Sequence, residues 1–122
     1  LMLGIGPDGH CASLFPDRSE VESEADVLAV HDSPKPPPTR ISMGLHTLRR
    51  AEHVLFFATG EEKAEAVARS VSGGDVVQTP AAGPRGAGGG AGLPVCVPAI
   101  ASKASMRFPS RTLRAFARST PA

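Results

Sequence analysis

Asp8 and His10 stand two residues apart in the segment Gly4-Ile5-Gly6-Pro7-Asp8-Gly9-His10-Cys11-Ala12. A carboxylate beside an imidazole fixes the ring's tautomer and raises its basicity, as a general base requires. Farther along, Arg40 opens the run Arg40-Ile41-Ser42, and Lys63 stands in Thr59-Gly60-Glu61-Glu62-Lys63-Ala64. Both are cations suited to a phosphate, the arginine as a bidentate fork and the lysine as a point charge. Spacing alone leaves a second reading open at each position. Asp8-Gly9 also reads as a plain turn with His10 at a helix start, Arg40 as a surface residue of an edge strand, and Lys63 as a solvated lysine beside Glu62.

Gly4, Gly6 and Gly9 also spell G-x-G-x-x-G after the apolar run Leu1-Met2-Leu3, the pattern of a dinucleotide-binding turn. That use needs a long helix after the glycines to hold a pyrophosphate. Pro16 interrupts the segment seven residues after Gly9, and Asp8 would set a negative charge against the phosphates. A catalytic turn beyond a strand end is the competing reading, with Gly6 and Gly9 letting the backbone approach a ligand. Ser13 lacks the surroundings of a nucleophile elbow, and Cys11 reads as a small buried free thiol. His10, His31, His46 and His53 are scattered without metal-ligand spacing, so no metal is expected.

The elements that must hold these residues alternate. Leu1 to Gly4 predicts a short buried strand, Gly9 to Phe15 two helical turns before Pro16, and Val27 to Val30 a second buried strand. "HDSPKPPPT" predicts an extended loop, because consecutive prolines fix φ and remove ladder donors. "RISMGL" resumes a strand, "HTLRRA" a helical turn or two, and "HVLFFATG", His53 to Gly60, the clearest buried strand. Thr59 with Glu62 three residues on predicts a capping box. The helix that follows has Ala64, Val67, Ala68 and Val71 on its apolar face, and Gly73-Gly74 ends it. Strands alternating with helices predict an α/β fold with a mainly parallel sheet.

With 122 residues the chain holds one modest domain. It has five Phe but no Trp or Tyr, and its two cysteines make no disulfide framework. No apolar run is long enough to span a membrane. The first residues lack the basic stretch of a secretory leader, so a reduced, cytoplasmic protein is expected. The net charge of +1 hides a division. Leu1 to Asp75 carries twelve acids and seven bases, and Val76 to Ala122 six bases and no acid. The later segment contains "GPRGAGGGAGLP", which cannot bury a face, and Arg107, Arg111, Arg114 and Arg118 at helical spacing.

"GIGPDGHCASLFP", Gly4 to Pro16, resembles the signature G-x-G-x-D-G-H-x-A-S-L-F-P of the 6-phosphogluconolactonases. "SPKPPPTRISMGLHTLRRAEHVLFFATGEEKAEAV", Ser33 to Val67, is similar to that family's second half, and the likeness runs from about Leu1 to Ala82. The neighbouring glucosamine-6-phosphate deaminase/isomerases share the G-x-G-x-D-G-H loop but continue A-F-N-E-P. Phe15 stands where their proton-shuttling glutamate would be.

The resemblance implies a Rossmann-like α/β fold, a mainly parallel sheet flanked by helices, with the N-terminal half of the family domain missing. It implies hydrolysis of 6-phospho-D-glucono-1,5-lactone to 6-phospho-D-gluconate, in the oxidative branch of the pentose phosphate pathway, without a cofactor. His10 is then the base, Asp8 its partner, Lys63 and Arg40 the phosphate clamp, and Gly6 and Gly9 the backbone around the substrate. The implied partner is a small sugar-phosphate lactone, with neither nucleic acid nor membrane, and the oligomeric state is left open. Residues 1–82 are expected to form the family-like α/β part. Residues 83–122 are expected to form a basic tail, disordered or translated out of frame. The strand signal at Leu1 suggests a start farther upstream. The alternatives are a deaminase/isomerase-like enzyme, a dinucleotide-binding module, and a fragment that keeps the signature without the activity.

Overall fold

The computed structural model describes residues 1–86 and the strand Val95–Cys96. Three strands form a parallel sheet in the order β1 (Met2–Gly4), β4 (Leu55–Phe57), β5 (Val95–Cys96). Leu3 pairs with Phe56, and Phe56 with Val95. Two further strands, β2 (Val27–Val30) and β3 (Arg40–Met43), make a separate antiparallel hairpin in which Val27 faces Met43 and Val30 faces Arg40. Two short helices complete the framework, α1 (Leu45–Arg49) and α2 (Ala64–Ser72). The α/β class with a parallel central sheet agrees with the expectation from sequence.

The central strands expose one face. Leu3 and Phe56 point into a core shared with Ile5, Leu14, Leu45, Leu48, Val54, Val67 and Val71. Their neighbours along the pleat point the other way: Met2 is 70% exposed, Leu55 37% and Phe57 48%. That is the period-2 alternation of a half-buried strand, where the continuous apolar run predicted burial on both sides. β2 departs further. Only Val30 is buried, and Val27 is 60% exposed, because its hairpin lies outside the parallel sheet.

Two local expectations are corrected. Gly9 to Phe15 is a series of turns, not a helix. Gly9 has φ +95° and Ala12 φ +51°, values that interrupt a right-handed helix, and the Leu14 N–H closes a tight turn on the Cys11 carbonyl at 2.9 Å. The capping box at Thr59 and Glu62 is absent as well. Gly60 caps with no side-chain hydrogen bond, and a 3-10 turn, Glu61–Lys63, leads into α2. The face that α2 buries is Ala66, Val67, Ser70 and Val71, with Ala66 and Ser70 in place of the predicted Ala64 and Ala68. Ser70 tolerates the interior because its hydroxyl donates to the Ala66 carbonyl at 2.7 Å.

Past Ala82, where the tail was expected to begin, the described chain stays packed. Pro84 is fully buried, and the Arg85 guanidinium donates to the Ala82 and Ser70 carbonyls at 3.1 and 3.3 Å. The basic positions Arg107, Arg111, Arg114 and Arg118 lie outside the described residues. Among the described residues, no helix is long and apolar enough to cross a membrane.

The alternation along β4 sets a stability test. Phe56→Ala is expected to cost about 3–5 kcal/mol as a core truncation. Phe57→Ala is expected to cost less than about 1 kcal/mol, as a half-exposed side chain. Urea unfolding of the two variants beside the unaltered chain checks this, and equal losses would contradict the assignment of faces.

Candidate active site

The segment after β1 turns sharply so that its side chains meet. Ile5 is buried and anchors it. The Gly6 N–H donates to the His10 carbonyl, and the Gly9 N–H donates to the Gly6 carbonyl, both at 3.0 Å. This closed turn brings Asp8 and His10 together. Asp8 Oδ1 lies 2.6 Å from His10 Nδ1 and accepts the His10 backbone N–H at 3.2 Å. Gly6 is required by this approach, since a Cβ there would collide with the imidazole and the Asp8 carboxylate. Gly9 serves a different contact: its φ of +95° suits glycine, and a Cβ would press on Thr79 Cγ2 at 3.0 Å.

The pair is held from several sides. The His10 ring packs on Phe15, with centroids 4.7 Å apart and planes tilted by 39°. On Phe15 lies the Arg40 guanidinium, 5.6 Å from the ring centroid, within cation–π range. α2 holds the turn through Arg69, which donates to the Asp8 carbonyl at 3.5 Å, and the 3-10 turn Pro80–Ala82 holds it through the Ala81 N–H on the Gly9 carbonyl at 3.0 Å. β3 contributes Ser42, whose hydroxyl oxygen accepts the Ser13 N–H at 3.1 Å.

The two partners have their protons assigned by this geometry. Burial pushes the Asp8 carboxyl up. The hydrogen bonds from the His10 ring and backbone N–H, with the charges of His10 and Lys35, outweigh it and hold Asp8 below the usual carboxylate value. An ionised Asp8 accepts a hydrogen bond from Nδ1–H and so keeps the ring proton on Nδ1, which leaves Nε2 as the basic nitrogen. Cys11, next in the chain, is completely buried, and burial pushes its thiol up to about 12.

Beside His10 opens a cleft of about 420 Å³, within the range of small-ligand sites. Met2–Pro7 line it together with His10, Ala12, Lys35 and Lys63. Of the residues singled out from sequence, Gly6, His10 and Lys63 therefore gather around one space, and Asp8 joins them only through its contact with His10. Arg40 is not among the lining residues, and its donors are directed at the loop before β3. Nη2 donates to the Lys35 and Pro36 carbonyls, each at 2.8 Å, and Nε to the Pro37 carbonyl at 3.1 Å. Lys35 was missed in the sequence, where it reads as one residue of an extended proline loop. A lysine flanked by prolines, with Ser33 two residues before it, was the available signal. Among the described residues, no group of three or more His, Cys, Asp or Glu converges to hold a metal.

A histidine–carboxylate pair on a glycine turn at the carboxyl end of a parallel strand, facing two lysines, defines an α/β protein whose site suits an anionic small molecule. Residues 1–90 match the family described as glucosamine-6-phosphate isomerases/6-phosphogluconolactonase, and the chain belongs to that family. It is 55% identical to a 6-phosphogluconolactonase of Streptomyces coelicolor over 87 residues, covering 70% of this chain and 33% of the relative. It is 45% identical to a 6-phosphogluconolactonase of Homo sapiens over 83 residues, covering 67% and 32%. The fold is similar to the crystal structure of 6-phosphogluconolactonase from Thermotoga maritima, with a TM-score of 0.62, 27% identity, and coverage of 79% of this chain and 39% of the other. The chain spans about a third of the length of the curated relatives it matches.

Three measurements test the local chemistry. Asp8 is depressed below its unfolded value of 3.8, so it favours the folded state above that pH, and the contribution disappears as pH falls through the folded value. Asp8→Asn is expected to lower stability near neutral pH, with the difference closing in acid. In His10→Ala, the Asp8 carboxyl should titrate higher by NMR, because burial remains while the ring contact is gone. For Cys11, iodoacetamide at pH 8 should leave the folded chain unlabelled at that residue and label it fully in urea, as read by peptide mass mapping.

Proposed function

We propose that this chain carries the catalytic turn and a phosphate-binding lysine of a 6-phosphogluconolactonase, acting in the cytoplasm on 6-phospho-D-glucono-1,5-lactone. The observation that supports this most is the 2.6 Å contact of Asp8 with His10 at the side of a cleft that also receives Lys63. His10 Nε2 removes a proton from water, and the resulting hydroxide attacks the lactone carbonyl carbon. The imidazolium formed is stabilised by Asp8. On collapse of the tetrahedral intermediate the bond from C1 to the ring oxygen breaks, and His10 returns its proton to that oxygen. The product acid then ionises to 6-phospho-D-gluconate. Gly6, which lines the cleft, keeps the backbone close to the reacting carbonyl, and Gly9 holds the turn against Thr79. Lys63, entering α2 through its 3-10 turn, binds the 6-phosphate, with the adjoining helix N-terminus favouring the same negative charge.

The deaminase alternative is less well supported. Its glutamate position holds Phe15, which is 2% exposed and packed on the His10 ring, so no proton-transferring group stands there. A dinucleotide module is disfavoured by the turns that replace the helix it would need after Gly9.

The deciding experiment is the initial rate of lactone hydrolysis by this chain, above the spontaneous background, beside His10→Ala. Loss of general-base catalysis is expected to lower kcat/KM by about 10²–10⁴-fold. An equal rate in both proteins, or none in the unaltered chain, would overturn the proposal.

A further inference from the structure

Lys35 is held by its backbone within an exposed proline loop. Its N–H donates to the Ser33 hydroxyl oxygen at 3.3 Å, and its carbonyl accepts both the Ser33 hydroxyl at 2.8 Å and Arg40 Nη2 at 2.8 Å. The loop is closed behind it by the Ser33 N–H on the Pro38 carbonyl at 2.9 Å. Arg40 also binds the Pro36 and Pro37 carbonyls, and it is seated on Phe15, the same ring that supports His10. The side chain presented by this clamped backbone lines the cleft with His10 and Lys63.

The two lysines do not occupy equivalent places. The Lys35 ammonium is among the charges that lower Asp8, whereas Lys63 is not. Arg40, which binds the Lys35 carbonyl, lies on Phe15, and Phe15 packs on the His10 ring, so Lys35 is tied to the His10–Asp8 end of the cleft. Lys63 approaches from the start of α2.

We infer that Lys35 is a substrate-contacting residue at the reacting end of the cleft, where its ammonium holds the C1 oxygen, and that Arg40 is the positioning residue that holds the Lys35 backbone in place. This rests on the lactonase reading above. A lactone carbonyl oxygen gains negative charge on attack, and in the product it becomes part of a carboxylate. A preorganised cation at that point favours both. The phosphate, at the other end of the sugar, is left to Lys63.

Binding of two ligands to the full chain, followed by calorimetry, separates these roles without turnover. 6-Phospho-D-gluconate carries both a C1 carboxylate and a phosphate, and glucose 6-phosphate carries the phosphate alone. Lys35→Met is expected to weaken 6-phosphogluconate about tenfold, the size of one charge-assisted contact, and to change glucose 6-phosphate less than twofold. Lys63→Met should weaken both. Arg40→Met should reproduce the selective loss seen for Lys35→Met, which a general loosening of the fold would not do, and amide NMR spectra check that each variant stays folded. Unchanged 6-phosphogluconate affinity in Lys35→Met, or equal weakening of both ligands, overturns the role of Lys35. Equal weakening in Arg40→Met overturns the positioning role alone. Failure of the unaltered chain to bind either ligand defeats the underlying lactonase reading and this inference with it.

Discussion

The contact between Asp8 and His10 depends on an atom that is missing. Gly6 has no Cβ, and the imidazole and carboxylate occupy the space that one would fill. Once that approach is possible, the remaining geometry follows in order. The backbone bonds of Gly6 with Gly9 and His10 close the turn, Asp8 accepts the hydrogen bond of the ring Nδ1–H, and the opposite nitrogen is left basic. Surrounding elements then supply walls: Phe15 under the ring, Arg69 on the Asp8 carbonyl, Thr79 against Gly9. A turn with this many anchors keeps its shape without the ligand, which is the condition for a preorganised site.

Electrostatics divides the site in two. Asp8 is buried enough to resist ionisation, yet it is ionised because His10 and Lys35 compensate for the lost solvent. Two cationic side chains, Lys35 and Lys63, line the same cleft as His10. Cys11, one residue from the proposed base, is kept out of the chemistry by complete burial. The proposed base and an inert thiol thus stand next to each other in the chain, set apart by the burial of Cys11.

Much of this was legible in the residues. The strand–turn order, the pairing of Asp8 with His10, and the role of Gly73-Gly74 in ending α2 all follow from local chemistry that does not depend on distant contacts. Other features were invisible for physical reasons. The Gly9 to Phe15 stretch has helical composition, but its positive φ values at Gly9 and Ala12 are imposed by the closed turn. The stripe on α2 was misplaced because apolar periodicity passes over Ser70, whose burial depends on a hydroxyl bond back to Ala66. The bonds from Arg40 to carbonyls of the proline loop are revealed by no pattern of apolar and polar residues. Lys35 was overlooked for the same cause. Prolines mark a loop, and only the hydrogen bonds from Ser33 and Arg40 show that this loop is rigid.

The column His10–Phe15–Arg40 joins two parts of the chain that are otherwise built separately: the turn after β1 and the β2–β3 hairpin. Its three members come from two segments, so neither segment can drift on its own. A smaller residue at 15 would unseat the guanidinium and let the ring of residue 10 tilt. A change at 40 would uncover the aromatic face and release the proline loop together. Across descendants of this sequence, positions 10, 15 and 40 should therefore be inherited as a linked set. A graft of the glycine turn into another scaffold would need the hairpin to travel with it.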